Sequence, residues 1–148
     1  MPPLPRGPKI VLVECRLSRI VFREDSDQQY IFLQERAGDR AFPIVIGFFE
    51  AAEIHRKANG QVPTRPLTHD LLRSTMEQLG GKLRCIEIHD LRENTFFANL
   101  VVDQEGRTVR VDCRPSDAIA LAVAQNAPIA VEDHVLTAAA EKQREGGL

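Results

Sequence analysis

The chain has 148 residues, 43% hydrophobic and 27% charged, the composition of one ordinary globular domain and too short for three. Its 19 Lys and Arg against 21 Asp and Glu give a net charge of −2, which excludes a strongly basic nucleic-acid coat and confines any such contact to a local patch. Aromatics are 5%, with no Trp and one Tyr, so a broad base-stacking platform is not expected, and no stretch approaches the ~20 apolar residues of a membrane span.

Residues 1–8 carry four prolines and are expected to form a disordered or extended lead-in, followed by one domain over 9–141 and a polar tail over 142–148. From Lys9 to Phe22, Val11, Val13, Cys15 and Leu17 alternate with Glu14, Arg16 and Ser18, the pattern of a half-buried strand. Arg23 to Asp27 is a polar turn, and Gln29 to Glu35 supplies the second strand of a hairpin. A turn at Ala37-Gly38-Asp39-Arg40 leads to a short strand, Ala41 to Ile46, in which Pro43 suggests an edge or strand-start position. Phe48 to Ala58 reads as a helix, with Phe48, Ala51, Ala52, Ile54 and Ala58 on its apolar side and Glu50, Glu53 and Lys57 opposite. Thr68 is the expected N-cap of a second helix, Thr68 to Leu79, with Asp70 in its first turn and Gly80-Gly81 beyond its end.

Three strands follow: Lys82 to Leu91, Asn94 to Asp103 and Arg107 to Cys113. Arg114-Pro115-Ser116-Asp117 then starts a helix reaching about Ala124, whose body is apolar all round and therefore buried. Ile129 to Val131 is a short strand and Glu132 to Glu141 a last helix. The order βββ-α-α-βββ-α-β-α clusters strands and helices, so the expected class is α+β, with antiparallel or mixed strands packed against helices. Cys15, Cys85 and Cys113 lie far apart, and His55, His69, His89 and His134 lack zinc-finger spacing. Neither a disulfide scaffold nor a structural zinc site is expected. Reduced, mostly buried thiols in a cytoplasmic protein are.

Three segments place polar residues at helix starts. In Gly47-Phe48-Phe49-Glu50-Ala51-Ala52-Glu53, Glu50 and Glu53 share a helix face and can share a divalent cation, or simply answer the helix dipole with Glu53 paired to Lys57. In Arg65-Pro66-Leu67-Thr68-His69-Asp70, the His and Asp suit acid/base or metal-ligand roles and Arg65 suits a phosphate. The alternative is a surface helix cap. In Asp112-Cys113-Arg114-Pro115-Ser116-Asp117, free N–H groups at the helix mouth beside Arg114 make an anion site, and Asp117 can bind a metal or orient water. The alternative is a structural cap with Arg114 bridging Asp112 or Asp117. Cys113 shares the strand phase of Val109 and Val111, has no histidine near it in sequence, and is not a nucleophile candidate.

These segments resemble the bifunctional nuclease family. The resemblance rests on Phe42-Pro43-Ile44-Val45-Ile46-Gly47 running on to Glu50-Ala51, on Arg65-Pro66-Leu67-Thr68-His69-Asp70-Leu71-Leu72 and on Thr95-Phe96-Phe97-Ala98. It continues through Arg114-Pro115-Ser116-Asp117-Ala118-Ile119-Ala120-Leu121-Ala122 and Ala127-Pro128-Ile129. In order and spacing it covers about residues 9–140. The sequence departs from the family at Cys113, where alanine is common, and at Glu53, where a small residue is common, which ranks Glu50 above Glu53 as a ligand.

The resemblance implies hydrolysis of RNA and DNA without strong sequence preference, and it brings no agreed catalytic set. The expectation from chemistry is that Glu50, Asp70 and Asp117 hold one or two Mg²⁺ or Mn²⁺ ions. His69 is then the general base or acid, and Arg65, Arg114 and Ser116 hold the phosphate. A non-catalytic nucleic-acid- or protein-binding regulatory module is the alternative. By architecture and analogy a homodimer is expected.

Overall fold

Two three-stranded antiparallel meanders are joined into one sheet by a strand of four residues. A computed structural model describes residues 9–146, so the predicted lead-in over 1–8 lies outside the described residues. The first meander is β1 (Leu12–Val21), β2 (Gln28–Glu35) and β3 (Ala41–Gly47); α1 (Phe48–Ala58) and α2 (Thr68–Gln78) follow. The second is β4 (Gly81–Arg92), β5 (Thr95–Gln104) and β6 (Arg107–Cys113), succeeded by α3 (Pro115–Gln125), β7 (Ile129–Glu132) and α4 (Asp133–Gly146). The sheet order is β3-β2-β1-β7-β4-β5-β6. β7 runs antiparallel to β1 and parallel to β4, so the sheet is mixed and the fold α+β, in the predicted element order.

Local chemistry sets the hairpins. Glu93 and Asn94 between β4 and β5, and Glu105 and Gly106 between β5 and β6, all have positive φ. That is the two-residue turn whose twist matches the flanking strands. Pro43, which cannot donate to a ladder, sits on β3 at the sheet edge, as its chemistry predicts.

Pairing registers explain why the apolar phase of the strands is uneven. A bulge between Leu17 and Arg19 puts both Leu17 and Ile20 opposite the core residues Leu33 and Ile31. The Ser18 hydroxyl of that bulge donates to the Phe32 carbonyl at 3.1 Å. Two further bulges in β4 bring Leu83, Ile86, Ile88 and Leu91 to one face at spacings that simple alternation forbids. That face joins Phe42, Ile44 and Val131 in a single core with Ile54 of α1, Ile119 and Leu121 of α3 and Leu136 of α4.

α3 is buried along Ala118–Ala122, as its all-apolar composition predicts. α1 departs from its prediction: Ala51 and Ile54 face the core, while Phe48 and Ala58 are exposed. α4 extends beyond the predicted Glu141 and takes in residues 142–146, which were expected as tail. It is clasped at its start by Arg40, whose guanidinium donates to both Glu35 oxygens at 2.7 and 3.2 Å and to Asp133 and Thr137 at 2.9 Å each. No helix among the described residues is long and apolar enough to cross a membrane.

Candidate functional site

The site is built on the first turn of α3. Arg114 occupies its N-cap in an extended conformation, and Pro115 pre-sets the helical φ at the first position. Arg114 cannot extend the helix, so its side chain folds back over the first turn. It meets Asp117 bidentately, Nε to Oδ2 at 2.8 Å and Nη2 to Oδ1 at 3.0 Å, and its third nitrogen, Nη1, donates to Glu50 Oε1 of α1 at 3.2 Å. One guanidinium thus holds together two carboxylates that are 67 residues apart in sequence (117 minus 50). The bridge to Asp117 anticipated as a structural cap is present, and Glu50 joins it.

The imidazole of His69, in the first turn of α2, completes the group, its Nε2 lying 2.8 Å from Asp117 Oδ1. His69 Nδ1 makes no hydrogen bond among the described residues. Burial works against the charge of Asp117, but the hydrogen bonds from Arg114 and His69 outweigh it and hold the carboxyl below its ordinary value. In return Asp117, with Glu50, holds Arg114 more firmly protonated. Asp117 therefore carries its charge at neutral pH and can orient the imidazole by accepting its Nε2–H.

Asp70, expected beside His69 as a metal ligand, is engaged elsewhere. Its Oδ2 accepts the backbone N–H of Leu67 at 2.9 Å, and its Oδ1 is paired with Lys57 of α1. Leu67, not Thr68, is the N-cap of α2, and Asp70 at the third helical position reaches back to it. The Lys57 hydrogen bond, the largest influence, lowers the Asp70 pKa. Lys57 also lies 3.6 Å from Glu53, which is 3% exposed and bonded to Arg56. Asp70, Lys57, Glu53 and Arg56 thus form a strut between α1 and α2. Glu53 takes the structural reading anticipated from its Lys57 pairing. Lys57 is the residue that sequence reasoning missed as the link between helices; its only signal was its spacing from Glu53.

Gly47, the N-cap of α1, has no side chain, and Glu50 curls back over it. A Cβ there would collide with the Glu50 carboxylate, so the glycine leaves room for Glu50 to face Arg114. Glu50, Arg114 and Ser116 line a cleft of about 800 Å³, together with Tyr30, residues 43–47, Thr95, Phe96 and Lys142. Arg114 also borders a neighbouring groove of about 570 Å³, lined by Asp117, Leu72, Phe97 and Val111. Arg114 therefore stands between two depressions, with Glu50 on one side and Asp117 on the other. His69 lines neither; it backs Asp117. Tyr30 and Lys142 were not predicted, and only sheet pairing and the length of α4 bring them here.

Arg65 is exposed on the α1–α2 loop and makes no ion pair among the described residues. Ser116 is buried at the second position of α3. Its backbone N–H and that of Asp117 have no carbonyl four residues back within the helix, which leaves an anion-accepting helix mouth. Burial pushes the Cys113 thiol up to about 11, so it is not a thiolate at neutral pH.

As for the expected divalent ion, no three His, Cys, Asp or Glu side chains among the described residues are placed to hold one. The donors present at the site are the two carboxylates Glu50 and Asp117, bridged by Arg114. Mg²⁺ commonly takes one or two carboxylates and completes its shell with water and substrate phosphate, so this pair suits such an ion only with substrate present.

Comparison with known proteins agrees with the residue pattern. The bifunctional nuclease domain matches residues 31–144, most of the chain, and the chain belongs to that family. It is also similar to two uncharacterized proteins, MT1877 of Mycobacterium tuberculosis strain CDC 1551 / Oshkosh and Rv1829 of strain ATCC 25618 / H37Rv. Each is 43% identical over 126 residues, covering 85% of this chain and 75% of the relative.

Proposed function

We propose that the chain is a nuclease that hydrolyses phosphodiester bonds of RNA and DNA with low sequence specificity. The observation that carries the reading is the Glu50–Arg114–Asp117–His69 group, a charged fork beside a carboxylate-oriented imidazole at the mouth of a helix. Family membership supports it. Arg114, with its side chain 63% exposed, exchanges its carboxylate partners for the non-bridging oxygens of a substrate phosphate. Ser116 and the free N–H groups of α3 face the same charge, and exposed Arg65 meets the strand further along. His69 lines neither depression while Arg114 is clamped, but its side chain is 16% exposed; with Arg114 turned to the phosphate, its Nδ1 takes a proton from the attacking water and Asp117 stabilises the imidazolium that forms. Water then bonds to phosphorus, the ester P–O bond breaks, and the departing oxygen is protonated from solvent.

Mg²⁺ or Mn²⁺ belongs to the proposal as an ion held by Glu50 and Asp117, which Arg114 frees when it moves to the phosphate. Asp70 is left out of that set. When bound, such an ion supplies charge neutralisation and a more acidic water. The experiment is cleavage of labelled single-stranded RNA and DNA by purified protein in Mg²⁺, Mn²⁺ or excess EDTA. Loss of cleavage in EDTA, restored by added ion, supports the metal-assisted form. Undiminished cleavage in EDTA assigns charge neutralisation to Arg114 and the helix mouth alone.

A second reading, a non-catalytic nucleic-acid- or protein-binding regulatory module, is favoured by one observation. Arg114 is already answered by two carboxylates, the arrangement of a structural clamp. Binding of strands without cleavage under any of these conditions selects it. A cytoplasmic location and a homodimer complete the proposal; light scattering of the eluting protein measures the latter.

A further inference from the structure

Seven phenylalanines are few for 148 residues, yet three of them converge at one corner of the fold. Phe22, just after β1, has its ring 6.1 Å from that of Phe48, and Phe48 lies 5.8 Å from Phe49, both pairs edge to face. Phe49 is 82% exposed and Phe48 is 52% exposed. Two consecutive phenylalanines at the start of a helix cannot both enter the core, since successive side chains point about 100° apart. Here neither does. Contiguous exposed apolar surface of this kind marks an interaction site.

The position of the patch narrows its partner. Phe48 and Phe49 directly precede Glu50, which is bonded to Arg114. On the other side Phe22 adjoins Arg23, whose guanidinium lies 5.9 Å from the ring of Tyr30 in the 800 Å³ cleft. The aromatic corner thus adjoins the candidate site along the chain, one residue from Glu50 and, through it, one hydrogen bond from Arg114. It is also held in place. Gln29, 1% exposed, donates to the carbonyls of Ser26 at 2.8 Å and Arg23 at 3.3 Å and accepts the Arg23 backbone N–H, which locks the turn behind Phe22. Exposed apolar rings held on the segment that carries Glu50 suit nucleobases whose backbone runs past Arg114. Bases paired in a duplex have no free face to offer.

We propose that Phe49, supported by Phe48 and Phe22, stacks an unpaired nucleobase next to the phosphate held at Arg114, and so selects single-stranded substrate. The inference deepens the nuclease reading and rests on it. It also refines the compositional expectation: aromatics are too few for a broad platform but sufficient for a local one.

The chain has no Trp, so Phe49→Trp installs a single fluorescent reporter at an exposed position. The probes are a single-stranded thymidine 12-mer and a 12-mer of the same backbone whose sugars lack bases, each titrated within seconds of mixing. Quenching by the thymidine strand and not by the abasic one is the expected result, as is a Kd for the thymidine strand about 5- to 100-fold weaker in Phe49→Ala than in the native chain. Equal binding of both strands without quenching overturns the stacking proposal and leaves the phosphate site intact. If neither strand binds, the nuclease reading falls and stacking with it. Quenching or a spectral shift that follows protein concentration without oligonucleotide assigns the patch to a second copy of the chain, and also overturns the proposal.

Discussion

His69 of α2 and Asp117 of α3 meet at 2.8 Å although they are 48 positions apart. On its other side the same carboxylate holds Arg114 through two bonds. Replacing Asp117 with Asn keeps the shape but removes the charge and sets amide hydrogens against Arg114 or His69. The expected outcome is a fall in cleavage rate of about 10²–10⁴-fold, the range for loss of a proton-transfer arrangement. Single-turnover rates for the two proteins check it.

The depressed pKa values of Asp70 and Asp117 make stability depend on acid. A carboxyl with a lower pKa folded than unfolded contributes fully above its unfolded value, 3.8 for both, and the contribution drains as pH falls through the folded value. The melting temperature is therefore expected to hold from pH 7 to about 5 and to drop below about pH 4. Asp117→Asn has a lower melting temperature at neutral pH and a shallower acid limb. Calorimetry across that range reads both features.

Lys57 answers two carboxylates at once, one of them on the buried Glu53. Lys57→Met fills the space but leaves Glu53 with Arg56 alone and Asp70 with its backbone bond. The expected loss is about 1–3 kcal/mol in urea unfolding, the cost of leaving a buried polar group short of a partner. A change below about 0.5 kcal/mol, the level of an ordinary surface substitution, contradicts the strut between α1 and α2.

Gly47 has a φ of −76°, which any residue can adopt, so its glycine is not required by backbone strain. The obstacle to a side chain is the Glu50 carboxylate. Gly47→Ala is thus expected to fold with a melting temperature near that of the native chain. It displaces Glu50 from Arg114, and its cleavage defect matches that of Glu50→Gln. A defect in one variant and not the other contradicts the role given to this glycine.

Burial holds Cys113 up to about 11, and Cys15 likewise to about 11. Cys113→Ala and iodoacetamide at pH 7 are both expected to leave cleavage unchanged. A large loss of rate in Cys113→Ala, with the protein still folded, would return the thiol to the site.

Much of this was readable in the residues. The alternation of Val13, Cys15 and Leu17, the turn at Ala37-Gly38-Asp39-Arg40 and the apolar run Ala118–Ala122 report local chemistry, and the elements followed. Sheet order was not readable, because β7 has only four residues and is placed by pairing with distant strands. The bulges in β1 and β4 likewise hide the apolar phase from a period-two reading. At the site, the three helix starts that carry Glu50, His69 and Asp117 are brought together by the fold, yet in the sequence Asp70 looks equivalent to Asp117. What separates them is tertiary: Lys57 claims one, while Arg114 and His69 claim the other.

The most direct test of a nuclease site at His69 and Asp117 is the rate of cleavage of a labelled single-stranded RNA and a matching DNA by the native chain and by His69→Ala, purified identically. His69 is tied to the rest of the site through Asp117, which keeps its two bonds to Arg114 in the variant. A loss of about 10²–10⁴-fold on both substrates is expected, with the melting temperature nearly unchanged. Equal rates in the two proteins would contradict it.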